Sequence, residues 1–282
     1  MYDVIALGEL LIDFAPKSVN ESGYPTLSAN PGGAPGNFLA ALTKYGRKTA
    51  MIGKVGDDAF GRLLVKTLKD AGIETQGIVT DADVFTTLAF VSLDASGNRD
   101  FSFARKPGAD TCLRPEEIDE GLLADANLRN PLWKSDWDAR DAIEWSLKQA
   151  DIVKISDEEI EFLWDLTPEE GAEKLLREYG LSLAYVTLGP KGCCAVTSSH
   201  HITVNSPSGI QVIDTTGAGD IFGGSAMSQF LQYKKAPSEL TEEELTQIVR
   251  FACTAASLST QKHGGITSVP EKESVLEKIK AE

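Results

Sequence analysis

Short apolar runs ending in glycine alternate along this chain with segments of helical periodicity, and that alternation constrains the fold more than any other feature. "YDVIALGE", "TAMIGKVG", "LAYVTLG" and "IQVIDTTG" read as strands. "FLAALTKYG", "DDAFGRLLVKTLKDAG", "TPEEGAEKLLREYG" and "TEEELTQIVRFACTAASLSTQ" carry apolar residues at i, i+3, i+4 and i+7, which predicts helices. Thr167 followed by Pro168 supplies an N-cap with proline at the first helical position, and Gly180 stands where a C-cap belongs. The pattern predicts a three-layer α/β/α sandwich, a mostly parallel central sheet covered by helices on both faces. Two stretches interrupt it with strand runs and turns but no helix. They run over about 10–32 and 82–106, and in the second "FTTLAFVSL" and "RDFSF" flank "DASGN", a hairpin turn. They predict a small β-sheet lid on a single domain spanning 1–282.

Charge and cysteine usage exclude several function classes. The formal net charge of -15 argues against non-specific binding to nucleic acid or an anionic membrane. An anionic ligand must therefore be held locally, by main-chain N–H groups, a few basic side chains or a divalent cation. No apolar run reaches the length of about 18 residues that a spanning helix needs, and the acidic start "MYDVIALGELLIDF" lacks a signal peptide's basic region, so the expected location is cytoplasmic. Cys112, Cys193, Cys194 and Cys253 form no C-x-x-C pair, and His200, His201 and His263 give no zinc spacing. The cysteines read as reduced, mostly buried thiols.

The stretch "QVIDTTGAGDIFGGS" carries the chemistry. A strand is expected to end near Ile213 and Asp214, and a helix to start near Asp220 with Phe222, Ala226, Phe230 and Leu231 on its apolar face. Unpaired amides and about half a positive charge at a helix N-terminus suit an anion, and Gly217, Ala218 and Gly219 let those amides close on it. The spacing is neither G-x-G-x-x-G nor a Walker A loop. A cradle that only binds gains nothing from an acid at its rim. A phosphoryl-transfer site does, because Asp220 can accept the proton of an attacking hydroxyl. The alternative is that Asp220 is a favourable first-turn acid and nothing more. A second cluster, "NPGGAPGN", offers Gly32, Gly33, Gly36 and Asn37, and Asp13 lies on the first β excursion. Carboxylate only accepts and amide does both, a combination that suits several sugar hydroxyls; each residue alone also reads as a turn or cap. Trp133, Trp137 and Trp145 read as helix packing.

Together "GELLIDFAP", "NPGGAPGN", "KVGDDAFG" and "DTTGAGD" resemble the ribokinase-like (PfkB-type) carbohydrate kinases, from residue 3 to about 270. "NRDFSFARKPGAD" and "NLRNPLW" look most like bacterial and plant fructokinases. The resemblance implies that Asp220 deprotonates the sugar hydroxyl, that Gly217, Ala218 and Gly219 form the anion hole, and that Asp13, Gly32, Gly33, Asn37 and Arg105 face the sugar. On the nucleotide side it implies Lys154, Thr187, Gly189, Ala255, Gly264 and Gly265. Glu159 is the candidate for a magnesium–phosphate network, although Ser156 stands where many relatives have Asn, and Asp214 for a monovalent cation such as K⁺. The implied reaction transfers the γ-phosphoryl of ATP to the 6-hydroxyl of fructose, with Mg²⁺ and a homodimer joined through the lid sheets. Kinases of the same fold for ribose, 2-keto-3-deoxygluconate or a nucleoside, and a non-catalytic sugar or nucleotide sensor, are the alternatives. An NAD-linked dehydrogenase lacks its fingerprint after the first strand. One departure stands out: between Leu123 and Asn127 the chain joins two ends that relatives separate by a strand, a helix and another strand. A β–α–β crossover takes roughly 30 residues, and the expectation is an apparent deletion near 123–127.

Overall fold

The computed structural model describes residues 1–93, 99–118, 122 and 139–282. β1 (Val4–Leu7), β2 (Leu11–Val19), β3 (Pro25–Gly32) and α1 (Ala34–Lys44) open the chain. β4 (Thr49–Gly56), α2 (Ala59–Asp70), β5 (Glu74–Asp81), β6 (Thr87–Leu93) and β7 (Arg99–Ala104) follow. After two short 3-10 turns come α3 (Ala139–Leu147), β8 (Ile152–Ser156), α4 (Asp157–Trp164), α5 (Pro168–Tyr179), β9 (Leu183–Thr187), β10 (Cys193–Thr197) and β11 (His201–Val204). α6 (Ala218–Tyr233), α7 (Glu242–Ser259) and α8 (Lys272–Lys280) complete it.

The body is the expected α/β sandwich. β1, β4 and β5 form a parallel sheet in the order β1-β4-β5. β8 and β9 run parallel in a second sheet, order β11-β10-β9-β8, whose other two strands are antiparallel. α1, α6 and α7 make one continuous helix layer. Leu39 and Leu42 of α1, Ile221 of α6 and Phe251 of α7 share a core with Met51 and Val55 of β4. Farther along the same helices, Phe222 and Ala226 pack with Leu183, Tyr185 and Ala195 of the second sheet. α4 and α5 cover that sheet's opposite face, where Ile160, Ala172 and Leu175 meet Ala184, Val186 and Cys194. The helix side chains among these are buried as the 3.6-residue period requires.

Local signals set the element ends. Thr167 and Glu170 form a capping box at α5, which ends on left-handed Gly180 with φ 74°. Asp58 caps α2 by accepting from the Phe60 and Gly61 N–H groups, and its other oxygen accepts from Thr86 N, which ties the helix to the start of β6. Lys54, 2% exposed in the middle of β4, is held by Asp81 and Glu117 at 2.8 and 2.7 Å.

A third sheet, order β3-β2-β6-β7, stands off this body. β2 and β6 are parallel and the outer pairs antiparallel. Burial falls steeply along β2, from Leu11 and Ile12 at its base to an exposed tip, as expected of a flap rooted at one end. The turn "DASGN" lies outside the described residues, as do Trp133, Trp137 and the junction at 123–127.

One predicted strand does not form. The run Ile210–Ile213 joins no sheet; the Ile213 and Asp214 N–H groups both donate to Thr260 O at the end of α7. Those amides are thus used by a helix terminus instead of a strand partner, and Val212 and Ile213 stay exposed. Among the described residues no helix is long and apolar enough to cross a membrane.

Candidate active site

The two glycine clusters, almost two hundred residues apart in sequence, meet at one point. Gly217 caps α6 with φ 74°, a conformation that only glycine adopts without strain, so the chain turns sharply into the helix. Ala218 and Gly219 begin α6, and Asp220 stands in its first turn. The first-turn amides of α6 point the same way, as an anion-binding terminus requires. Gly33 caps α1, which presents Asn37 in its first turn. The Asn37 Nδ2 donates to Asp220 Oδ2 at 3.0 Å.

Asn37 is only 3% exposed, and its Oδ1 is buried with no hydrogen-bond partner. Gly265 lies against the same amide, so close that a Cβ there would fall 2.0 Å from Asn37 Oδ1. Burial raises the Asp220 carboxyl above its ordinary value, while the Asn37 hydrogen bond and the Lys154 charge pull it back down and the Glu9 and Glu159 charges push it up. Asp220 is thus a carboxylate poised to take a proton, pinned by one donor on the sugar-cluster helix.

Lys154, on β8, brings the positive charge. Its Nζ would lie 3.3 Å from a Cβ on Gly219, which sets a cation beside the amide cradle. On the other side, Asp13 on β2 is 9% exposed and its Oδ2 lies against Gly32. Arg105, directly after β7, reaches back to Glu9 in the β1–β2 connection at 3.0 Å and also pairs with Asp110. Asp214 accepts from Thr216 N at 2.9 Å and from Gly264 N at 3.1 Å, which joins the loop before α6 to the loop after α7. Gly264 and Gly265 therefore border the cradle through Asp214 and Asn37.

Four further expected residues are held within their own elements. Ala255 is fully buried in the core shared with Leu39 and Phe251, so its side chain presents no surface to a ligand; its small size serves packing beneath α7. Glu159 Oε2 accepts from Ser156 N at 2.7 Å while the Ser156 hydroxyl accepts from Glu159 N, a capping box at α4 that commits one carboxylate oxygen to its own helix. Thr187 donates to Ile155 O at 3.4 Å, a bond between β9 and β8, and Gly189 opens the 3-10 turn that follows.

Among the described residues no group of three or more His, Cys, Asp or Glu side chains could hold a metal ion. The donor set thus does not fit a cage of protein ligands. It fits Mg²⁺ carried by nucleotide phosphates and water, the usual arrangement for that ion. Burial pushes the Cys194 and Cys253 thiols up to about 11 and about 12, which leaves them protonated and inert. Sequence reasoning missed Glu9, Asp110 and Lys54. All three stood inside quoted motifs, and only their partners across the fold reveal what they touch.

A family model described as pfkB family carbohydrate kinase matches residues 1–128 and, in a second stretch, 116–272. Fructokinase-1 of Zea mays is 36% identical over 318 residues, covering 98% of this chain and 97% of that protein. The crystal structure of fructokinase with bound ATP from Xylella fastidiosa matches with a TM-score of 0.85 at 26% identity, over 99% of this chain and 98% of that one. Fructokinase from Vibrio cholerae O395, in its fructose-, ADP- and calcium-bound form, matches at 0.82 and 26% over 98% of each. Because 98% of 282 residues is about 276, the 318-residue Zea mays alignment leaves roughly forty positions unfilled by this chain, about the size of a β–α–β unit. The two stretches matched by the family model meet at 116–128.

Proposed function

This chain belongs to the pfkB family of carbohydrate kinases, and from that premise we propose that it is an ATP-dependent fructokinase acting on the 6-hydroxyl of its sugar. The observation that carries the reading is the Asn37–Asp220 hydrogen bond at 3.0 Å, which joins the polyol-binding cluster to the acid at the mouth of the anion cradle. In the reaction Asp220 accepts the proton of the sugar hydroxyl as that oxygen forms a bond to the γ-phosphorus. The bond from phosphorus to the bridging oxygen breaks, ADP leaves with its electron pair, and the proton passes from Asp220 to solvent. The α6 amides at Gly217, Ala218 and Gly219 receive the charge on the transferring group, and Lys154 adds a cation beside them. Asp13, Gly32, Gly33, Asn37 and Arg105 bind and orient the sugar; the unpartnered Asn37 Oδ1 supports a hydroxyl donor at that position. Thr187, Gly189, Gly264 and Gly265 flank the nucleotide. Glu159 would help hold a nucleotide-bound Mg²⁺, which would supply further charge neutralisation, and Asp214 organises the loop where a monovalent cation such as K⁺ would bind.

The β2-β3-β6-β7 sheet is read as a lid that excludes water from the γ-phosphoryl. Leu27 and Phe90, exposed on the face opposite Asp13, support pairing of that sheet with a second copy. We further propose that the chain lacks a β–α–β unit near 123–127. This is supported by the two-part family match, the roughly forty unfilled positions and the division of the body between two sheets.

A coupled assay of ADP release with Mg-ATP and a panel of fructose, ribose, 2-keto-3-deoxygluconate and nucleosides tests the assignment. Highest kcat/KM for fructose is expected; a clear preference for ribose or a nucleoside would refute the fructose reading.

A further inference from the structure

We propose that the sugar pocket is built to accept only a neutral sugar, because Arg105, the arginine placed there among the described residues, is already neutralised by two carboxylates, and that Asp110 is the positioning residue that enforces this. The inference rests on the kinase reading of the site. Arg105 is the cation at the sugar end, and a free guanidinium there would welcome a substrate carboxylate. Its charge is already matched: Nη2 lies 3.0 Å from Glu9 Oε2 and also donates to Asp110 Oδ2, although its buried Nε has no hydrogen-bond partner.

The two partners are unequal. The Asp110 side chain is fully buried, and its only hydrogen-bond donors among the described residues are Arg105 and the Thr87 hydroxyl. A buried carboxylate that loses its cation is strongly penalised, so this bond persists whatever occupies the pocket. The surroundings lock it further. Gly108 closes over the network, where an added Cβ would fall 1.8 Å from Thr87 Oγ1 and 2.9 Å from Asp110 Oδ1. Ala109 N donates to Phe85 O, which fastens the segment to the start of β6. Glu9, a third exposed, is the exchangeable partner.

The charge balance around this arginine is negative. The backbone carbonyl of Glu9 lies against Gly33, and Asp13 lies against the adjacent Gly32. Glu9 and Asp13 thus flank the glycines of the sugar cluster, and Asp220 is bonded to Asn37 of the same cluster. Lys154, which makes no ion pair in the described contacts, stands on the cradle side beside Gly219 and offsets the Asp220 charge there, not that of Glu9 or Asp13. The cleft is therefore polarised, cationic where a phosphoryl is transferred and anionic where the sugar sits. A sugar acid would bring a like charge into that acidic end, a repulsive element that separates substrates more sharply than an added contact does. Of the substrate classes that this fold serves, this disfavours 2-keto-3-deoxygluconate and leaves the neutral polyols.

Calorimetric binding without nucleotide, using a neutral sugar and the aldonate of the same chain length (ribose with ribonate, glucose with gluconate, and fructose beside them), tests the idea. The wild-type chain should bind each aldonate at least about tenfold more weakly than its neutral partner, a separation of 1.4 kcal/mol. In Asp110→Asn and in Glu9→Gln the aldonate should gain about tenfold while the neutral sugar gains nothing, and the gain should shrink as salt is raised. Glu9→Gln removes a partly exposed charge and leaves the fold intact, so the test survives if Asp110→Asn is unstable. Equal wild-type affinity for aldonate and sugar, or variants that move both ligands by the same factor, would overturn the proposal. Fructose turnover is read separately. A chain that fails to phosphorylate fructose would refute the fructose assignment, yet the aldonate affinities of wild type and variants would still decide the charge argument.

Discussion

Gly265→Ala should disable this enzyme through a residue more than two hundred positions away. Gly265 has φ -95° and ψ -74°, so alanine meets no backbone penalty there and the perturbation is purely steric. Its Cβ would fall 2.0 Å from Asn37 Oδ1, 2.3 Å from Cγ and 2.6 Å from Nδ2. Restoring a normal carbon–oxygen contact of about 3.5 Å requires the amide to retreat by about 1.5 Å, in a side chain that is 3% exposed and has no space to give. The bond from Nδ2 to Asp220 Oδ2 cannot survive that retreat. A hydrogen bond to a charged group contributes about 1.5–3 kcal/mol, and misplacing a catalytic group by about 1 Å costs on the order of 10²-fold in rate. We expect kcat to fall about a hundredfold and stability by about 1–3 kcal/mol from overpacking. Because the Asn37 donor favours the ionised acid, its loss should also move the acid limb of the pH–rate profile to higher pH. The decisive measurement is a double-mutant cycle with Asn37→Ala, read by coupled ADP release and thermal melts. If the alanine acts through Asn37, adding it to Asn37→Ala changes the rate little. Additive losses in kcat would refute the reasoning.

Two further outcomes follow from the same geometry. Asp220→Asn should lower kcat by about 10²–10⁴-fold yet raise Tm at pH 7–8. Burial lifts the folded-state pKa above the ordinary value of 3.8, so the native chain holds its proton more tightly than the unfolded one. Stability is therefore lost as pH rises through that window, and the variant's advantage should vanish below about pH 4; an unchanged Tm at neutral pH would sink this account. Hydrogen exchange should find β1 and β8, each the outer strand of its sheet, less protected than β4 and β9, since half of an edge strand's amides lack a strand partner. Inserting a relative's β–α–β segment at 123–127 should slow that exchange and raise Tm, whereas equal protection in the unmodified chain would argue against an open seam.

How much of this was legible in the sequence depends on the range of the interaction. Helices with one apolar face, the capping box at Thr167 and the glycine entry to α6 are local properties, and each was readable from a window of a dozen residues. The run Ile210–Ile213 has strand composition and still forms none, because Thr260 at the end of α7 takes its amides; no window around residue 212 contains that competitor. The same limit hid the functional contacts. Asn37 and Asp220 were each recognisable as polar residues beside glycines, but the bond between them closes a loop of 183 residues. Asp110 closed a quoted motif with no role assigned to it, and only the fold puts Thr87 and Arg105 on its two oxygens.

The junction at 123–127 is the instructive middle case. Its departure from the family pattern was visible in sequence, but its consequence is a property of sheets. β1 and β8 are parallel strands with apolar residues on both faces, the composition of central strands, yet each stands at a sheet edge among the described residues. A parallel edge of this kind is normally covered or paired. What holds the two halves together here is the helix layer instead: α6 packs on α1 over the first sheet and with α7 over the second, and the Asn37–Asp220 bond lies where α1 meets α6. The proposed catalytic contact and the helix packing that joins the two sheets therefore share one interface. A chain with a weakened sheet seam should show it first as a looser Asn37–Asp220 geometry, and so in kcat before KM.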